Sequence, residues 1–160
     1  MTIRIISFGY GHGPAPATAD LIYDVRAVLH DPYYDPGLKE FTGLDQRVYD
    51  HVMTTPGAHR LMVNATVTAR ALVEDTGRDV TIAWGCTGGR HRSVGLARAS
   101  YELLRANGNA VTVEHRDVDQ NLLPAGVHNR TRDTDPKESG DMLLVDMDGG
   151  RGGPLPDGTV

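Results

Sequence analysis

Two hydrophobic patterns alternate along most of the chain. Short apolar runs rich in β-branched residues, ended by glycine or aspartate, predict strands at 3–8, 21–25, 80–84 and 110–113. Apolar residues that recur every three or four positions predict helices at about 45–53, 58–75 and 91–107. Because strands and helices are interleaved, we expect an α/β fold: a small, mainly parallel sheet of about four strands with helices packed on it.

The third strand carries most of the information about topology. Residues 80–84 are apolar throughout, which is typical of a central strand covered on both faces. A glycine-rich loop, a helix and the fourth strand follow it, and this βαβ order predicts parallel pairing.

The periodic pattern ends near residue 118. Residues 119–160 are polar, rich in glycine and proline, and aperiodic, and they carry most of the net charge of −5. Such a segment buries too little apolar surface to offset the entropy of ordering it. We therefore predict one α/β domain at 1–118 and an acidic, mostly disordered tail at 119–160.

Composition removes several classes of function. The chain has a single cysteine, Cys86, which excludes an intramolecular disulfide and a multi-cysteine zinc site, and the histidines show no metal-ligand spacing. We expect no metal and no cofactor. No apolar run approaches the roughly 18 residues of a membrane span, so a cytoplasmic location without membrane contact is expected. The acidic balance disfavours nucleic-acid binding driven by overall charge.

The loop after the third strand concentrates anion-binding groups. Gly88 and Gly89 allow the backbone to curl closely around an oxyanion, and the next helix begins with N–H groups that lack internal partners. Side chains in the loop add further donors: Thr87, Arg90, His91, Arg92 and Ser93. The order strand, loop, helix also places the loop where open α/β sheets bind ligands. We interpret the loop as a phosphate site.

Other interpretations of this loop stay open. It could be a glycine turn with a helix cap and two solvated arginines. It also fits the Cys-x5-Arg-Ser pattern of protein tyrosine phosphatases through Cys86, Arg92 and Ser93, in which a thiolate attacks phosphorus. That chemistry needs a general acid, for which Asp24 and Asp45 are the candidates.

Residues 3–117 resemble the C-terminal domain of the RapZ family of bacterial RNase adapter proteins. The shared pieces occur in the family's order: Ser7-Phe8-Gly9-Tyr10, His12-Gly13, Ala19-Asp20-Leu21 with Asp24-Val25-Arg26, Pro32-Tyr33-Tyr34, Phe41-Thr42-Gly43-Leu44-Asp45, Gly85-Cys86-Thr87-Gly88-Gly89-Arg90-His91-Arg92-Ser93-Val94, and His115-Arg116-Asp117. The string from Gly85 to Val94 is the most specific of them.

The resemblance implies a regulatory domain that senses an amino-sugar phosphate and acts through RNA and RNase contacts. It implies that Cys86, Thr87, Gly88, His91 and Arg92 line the phosphate site. Asp24, Arg26 and Tyr34 would approach it from the second strand and the following loop, and His12 could face the same cleft.

Several departures limit what the resemblance carries over. The family's N-terminal ATP-binding domain and its phosphate-binding loop motif are missing from this sequence. Asp31 stands where the family usually has asparagine, and Gly11 where it usually has lysine. The tail is acidic, whereas the RNA-contacting branch ends in basic residues. Recognition of a phosphorylated small molecule is therefore our main hypothesis, with a cysteine phosphatase and an RNA- or protein-binding adapter as alternatives; the oligomeric state is undetermined.

Overall fold

A four-stranded parallel sheet forms the centre of the computed structural model, which describes residues 1–128. The strand order is β2-β3-β1-β4. The elements are β1 (Ile3–Gly9), β2 (Leu21–Asp24), a 3-10 turn (Pro32–Tyr34), α1 (Gln46–Thr54), α2 (Ala58–Thr76), β3 (Val80–Cys86), α3 (Arg92–Ala106) and β4 (Val111–His115). The predicted α/β class, the four strands and the three helices are confirmed.

Strand β3 is the buried strand that its composition predicts. All seven of its residues are buried, and it pairs with β2 on one side and β1 on the other. The βαβ prediction was wrong in one respect. Strand β4 runs parallel to β3 but pairs with β1, which lies between them. Helix α3 therefore crosses over β1 and packs on both β1 and β3.

The core lies between the sheet and the helices. Trp84 in β3 is fully buried and donates its indole N–H to Ser100 Oγ in α3 at 3.1 Å. The hydroxyl of Ser100 in turn donates to the Leu96 carbonyl at 2.7 Å. This chain of bonds pairs the indole N–H and the Ser100 hydroxyl, so Trp84 holds α3 against β3 without leaving either group unpaired.

Strands β1 and β3 extend one and two residues beyond their predicted ends, because their pairing continues into the loops that follow them. Gly9 pairs with Cys86, and the pairing continues past both strands: Tyr10 N–H donates to the Cys86 carbonyl at 2.9 Å and Gly11 N–H to the Thr87 carbonyl at 3.0 Å. The loops that follow β1 and β3 are thus hydrogen-bonded to each other at the carboxyl edge of the sheet.

The predicted tail begins with residues that lie against the domain. Leu123 approaches Gly11, and His128 is 3% exposed. Residues 125–128 form a helical turn. The remainder of the predicted tail, 129–160, lies outside the described residues.

The contact between the β1 and β3 loops leaves no space for a side chain at Gly9. A Cβ there would lie 2.5 Å from the carbonyl carbon of Gly88 and 2.6 Å from the Gly89 nitrogen. We predict that Gly9→Ala lowers the free energy of unfolding by roughly 1–3 kcal/mol, because backbone rather than a flexible side chain must move. Urea unfolding measures this. Gly126→Ala, where the added methyl meets nothing within 4 Å, is the matched control; equal stability of the two variants would contradict the prediction.

Candidate functional site

The loop between β3 and α3 is held in shape from outside. Gly89 adopts a left-handed φ of 70°, and a Cβ on it would lie 2.6 Å from the Gly9 nitrogen. Gly43 closes the other side: its N–H donates to the Arg90 carbonyl at 2.7 Å. Packing against these neighbours therefore explains Gly89 without a ligand. Gly88 differs, because a Cβ on it would meet only the His128 ring, at 3.9 Å.

Several backbone donors in the loop remain available. Within residues 1–128, no acceptor is bonded to the N–H groups of Gly88, Arg90 or His91. His91 occupies the N-cap position of α3 without a side-chain bond to the first turn. The N-terminus of α3 thus offers uncompensated donors and the positive end of the helix dipole, as the sequence predicted.

Cys86 lies beneath the loop. Its sulfur accepts the Gly89 N–H at 3.3 Å and lies 3.1 Å from Ser93 Oγ, and the residue is 2% exposed. Ser93 is fully buried. The structure therefore brings together the cysteine and the serine of the Cys-x5-Arg-Ser pattern around one sulfur atom.

Arg92 points into the protein. Its Nη1 donates to the carbonyls of Arg26 at 2.9 Å and Leu29 at 3.0 Å, and its Nη2 to Asp31 Oδ2 at 2.7 Å. Nη2 also lies 3.3 Å from Thr87 Oγ1. The buried Nε has no bonded partner in the described part of the chain. Arg92 thus holds the segment after β2 onto the loop, and its role as a phosphate ligand stays a prediction.

Asp31 is the carboxylate that neutralises Arg92. It is 7% exposed; its Oδ1 accepts the Tyr33 N–H at 3.1 Å, and its Oδ2 accepts Nδ1–H of His128 at 2.9 Å. Burial by itself raises the pKa of Asp31, but the bond from His128, the charge of Arg92 and the Tyr33 N–H more than offset it and hold the pKa at about 2. Asp31 is therefore ionised at neutral pH.

His91 and Arg90 fasten the loop to the segments on either side. The Nε2–H of His91 donates to the Lys39 carbonyl at 3.1 Å, and Arg90 donates to the carbonyls of Gln120 at 2.8 Å and Glu40 at 3.2 Å. Burial lowers the pKa of His91, and the nearby Asp31 offsets this only in part. Burial therefore favours the neutral form of the His91 imidazole.

Asp24 and Arg26, at the end of β2, form an ion pair. Arg26 Nη2 donates to Asp24 Oδ2 at 2.6 Å, and the guanidinium stacks over the Tyr10 ring at 3.8 Å. Burial raises the pKa of Asp24, but hydrogen bonds and charge from Arg26 outweigh it, and the pKa is lowered overall. The Asp24 side chain is 41% exposed, so one face of the pair meets solvent.

His12 and Tyr34 lie on the loops that approach the same edge. His12 N–H donates to the Gly9 carbonyl at 3.0 Å, and its buried Nε2 has no bonded partner among residues 1–128. Tyr34 lies in the 3-10 turn with its ring perpendicular to that of Tyr33, 5.7 Å away. Ligand contact by either residue stays a prediction.

No sequence pattern marks His128 as a neighbour of the loop. Its ring stacks on that of Tyr33 at 3.7 Å with an interplanar angle of 13°. His128 lies 97 positions from Asp31 in an aperiodic segment, so no local pattern marks it. On the Asp31 side of the contact with His128, the sequence offered one signal, the turn-forming pair Asp31-Pro32.

Two clefts of the described region lie away from the loop. Each has a volume of about 280 Å³ and no loop residue in its walls. One is lined by Val28, Leu29, Gly57, Arg60, Leu61 and Asn64, and the other by His30, His51, Thr54, Thr55 and Pro56. Over residues 1–128, no three His, Cys, Asp or Glu side chains are grouped to hold a metal. No helix in that range is long and apolar enough to span a bilayer.

The lowered pKa of Asp31 predicts that the free energy of unfolding decreases in acid. The group ionises with a pKa of about 2 in the folded protein against an ordinary value of 3.8, so its ionised form contributes about 2 kcal/mol of stability above pH 4. That contribution is lost as the pH falls from about 4 through 2. We expect Asp31→Asn to remove this part of the pH dependence and to lower stability at pH 7, since Arg92 loses its counter-charge. Urea unfolding between pH 7 and pH 2 measures both effects.

The exposed Asp119→Asn is the control and should follow the parent at every pH. Parallel curves for the parent and Asp31→Asn below pH 4 would show that Asp31 is not the group responsible.

Comparison with known proteins places the chain in a family. A family model described as the RapZ C-terminal domain matches residues 1–119. The chain is similar over 130 residues to three proteins named nucleotide-binding proteins. It is 38% identical to the one from Clostridium botulinum strain Hall, 36% to the one from Clostridium novyi and 34% to the one from Clostridium acetobutylicum. These alignments cover 79% of this chain but 44% of each relative's length. Across the sheet, the loop after β3 and the segment through β4, the chain belongs to the RapZ C-terminal domain family.

Proposed function

We propose that this domain is a regulatory ligand-binding domain whose β3–α3 loop binds the phosphate group of a small molecule. The observation that carries the proposal is the set of N–H groups of Gly88, Arg90 and His91, which have no bonded acceptor within residues 1–128. They lie at the N-terminus of α3, where the helix dipole favours negative charge.

The charges around the loop support an anion. Arg92 is balanced by Asp31 and Arg26 by Asp24, at 2.7 Å and 2.6 Å. Arg90, in contrast, donates to backbone carbonyls only, so its charge has no carboxylate partner among the described residues. The loop therefore keeps one positive charge in excess in addition to the helix dipole.

An amino-sugar phosphate is the ligand class that the family resemblance favours. The half-exposed pair Asp24 and Arg26 at the end of β2 offers a carboxylate for an ammonium or hydroxyl group and a guanidinium for a hydroxyl group. The Arg92 guanidinium donates to the Arg26 carbonyl, so this pair is attached directly to the loop's helix.

Ligand binding should raise the melting temperature, since an anion bound only by the folded loop stabilises it by mass action, by about 2.7 kcal/mol at a hundredfold excess over Kd. We expect this for glucosamine 6-phosphate and, at higher concentration, for inorganic phosphate. Gly88→Ala should weaken binding about tenfold, or ~1.4 kcal/mol, because the methyl group adds bulk directly beside the Gly88 N–H donor. The backbone at Gly88 does not have a positive φ, so the substitution itself causes no strain there. His59→Ala, an exposed substitution on α2, is the control, and titration calorimetry measures both.

The absence of a shift with any sugar phosphate in the parent would contradict the proposal. An equal affinity of Gly88→Ala and His59→Ala would place the site elsewhere.

A cysteine-dependent phosphatase is the second candidate, favoured by one observation. The Cys86 sulfur accepts the Gly89 N–H and lies beside Ser93 Oγ, which suits a nucleophilic thiolate. Against it, Cys86 is 2% exposed, and the Arg92 guanidinium is bonded to Asp31 and to carbonyls of the segment after β2.

We therefore expect negligible turnover of an aryl phosphate, and expect Cys86→Ser to keep most of the ligand affinity, because the sulfur accepts bonds beneath the loop and offers none to a ligand. A turnover assay beside a binding titration tests this on both proteins. Turnover that disappears in Cys86→Ser while binding persists would establish the phosphatase.

A further inference from the structure

The segment that follows β4 crosses the outside of the phosphate loop. We call residues 118–128 the strap. All but its first two residues lie beyond the part of the chain that the family model matches, 1–119. Arg90 anchors the beginning of the strap by donating to the carbonyls of Gln120 at 2.8 Å and Val118 at 3.4 Å.

Leu123 anchors the middle of the strap. Its side chain contacts Gly11, where an added Cβ would collide with the Leu123 methyl group. Gly11 is bonded through its N–H to the Thr87 carbonyl, so Leu123 sits on the junction of the β1 and β3 loops.

His128 anchors the end of the strap, and its contacts are the most extensive. Its ring stacks on Tyr33 at 3.7 Å, its Nδ1–H donates to Asp31 Oδ2 at 2.9 Å, and its Cε1 is the atom nearest to the open face of Gly88. The imidazole thus covers the one loop glycine whose outward face is otherwise unobstructed.

Most side chains of the loop are buried beneath the strap and the neighbouring segments, whereas Gly88 and Arg90 keep part of their surface exposed. Cys86, Thr87, His91, Arg92 and Ser93 are each less than 5% exposed. The Asp31 carboxylate, held by His128, occupies the Arg92 Nη2 that an anionic ligand would otherwise contact. A phosphate group has to compete with this carboxylate and with the imidazole above Gly88.

We propose that the strap is an intramolecular gate: it closes the phosphate loop through His128 and Asp31, and an anion binds only when the strap has moved away. This rests on the proposed function of the loop. Since ligand binds the open state alone, the apparent affinity is the intrinsic affinity reduced by the fraction of open molecules. Occupancy of the loop would in turn displace His128, after which the chain continues to Val160.

Cys86 supplies a direct measure of opening, because it is the single cysteine and lies beneath the covered loop. We would follow its alkylation by iodoacetamide, a neutral reagent, in the full-length protein. His128→Ala and Leu123→Ala remove two separate anchors of the strap, and His59→Ala, an exposed histidine on α2, is the control. Circular dichroism and urea unfolding identify any variant that loses the fold.

The gate predicts linked changes in the alkylation rate of Cys86 and in its protection by phosphate. If an anchor substitution raises the open fraction about tenfold, the alkylation rate rises by that factor and the concentration of inorganic phosphate that half-protects Cys86 falls by the same factor. We expect both changes in His128→Ala, the same paired changes to a smaller extent in Leu123→Ala, and neither in His59→Ala.

Alkylation of both anchor variants at the parent's rate would overturn the gate. Faster alkylation with unchanged or weaker phosphate protection would also overturn it, because the strap would then cover the loop without competing with the anion. If alkylation accelerates but phosphate protects no protein, the proposed phosphate site has failed, and the changed alkylation rate distinguishes that result from a strap that does not move.

Discussion

The buried ion pair between Arg92 and Asp31 is the interaction on which the carboxyl edge of the sheet depends. Arg92 is the first residue of α3, and Asp31 begins the 3-10 turn after β2, so the pair joins two elements that share no hydrogen-bonded ladder. Taking two charges out of water costs several kcal/mol per ion, and excellent geometry has to repay it. Here the remaining guanidinium bonds go to carbonyls and the remaining carboxylate bonds to N–H donors, which satisfies the pair almost completely.

Close backbone contact is the second constraint, and it separates structural from functional glycines. Gly9, Gly43 and Gly89 lie against backbone atoms at distances that no side chain permits. Gly88 is free of that restriction within the described residues apart from the His128 ring. Packing therefore explains why Gly9, Gly43 and Gly89 are glycines. Gly88 is the position of the four at which a ligand, rather than packing, would explain the absence of a side chain.

The sequence was sufficient for the elements and for the location of the loop, because both follow from local patterns. Periodicity identifies α2 and the burial of β3, and the glycines with their polar neighbours mark the loop. The partner of β4 could not be predicted, since a βαβ pattern does not say whether another strand lies between the two. The orientation of Arg92 could not be predicted either, because its acceptors are main-chain carbonyls of an irregular segment, which every residue possesses. His128 lies outside any periodic element, so its contact with Asp31 appears only in three dimensions.

The opposite edge of the sheet has a different character. Gly77 and Gly108 end α2 and α3 just before β3 and β4, both with left-handed φ values, and a Cβ on either would meet nothing within 4 Å. These turns are free of the contacts that fill the carboxyl edge. Lengthening a surface loop costs only about 0.6 kcal/mol for each doubling of its length. The domain can therefore accept an inserted reporter or an additional module at its amino edge while the β3–α3 loop, at the opposite edge of the sheet, keeps its geometry.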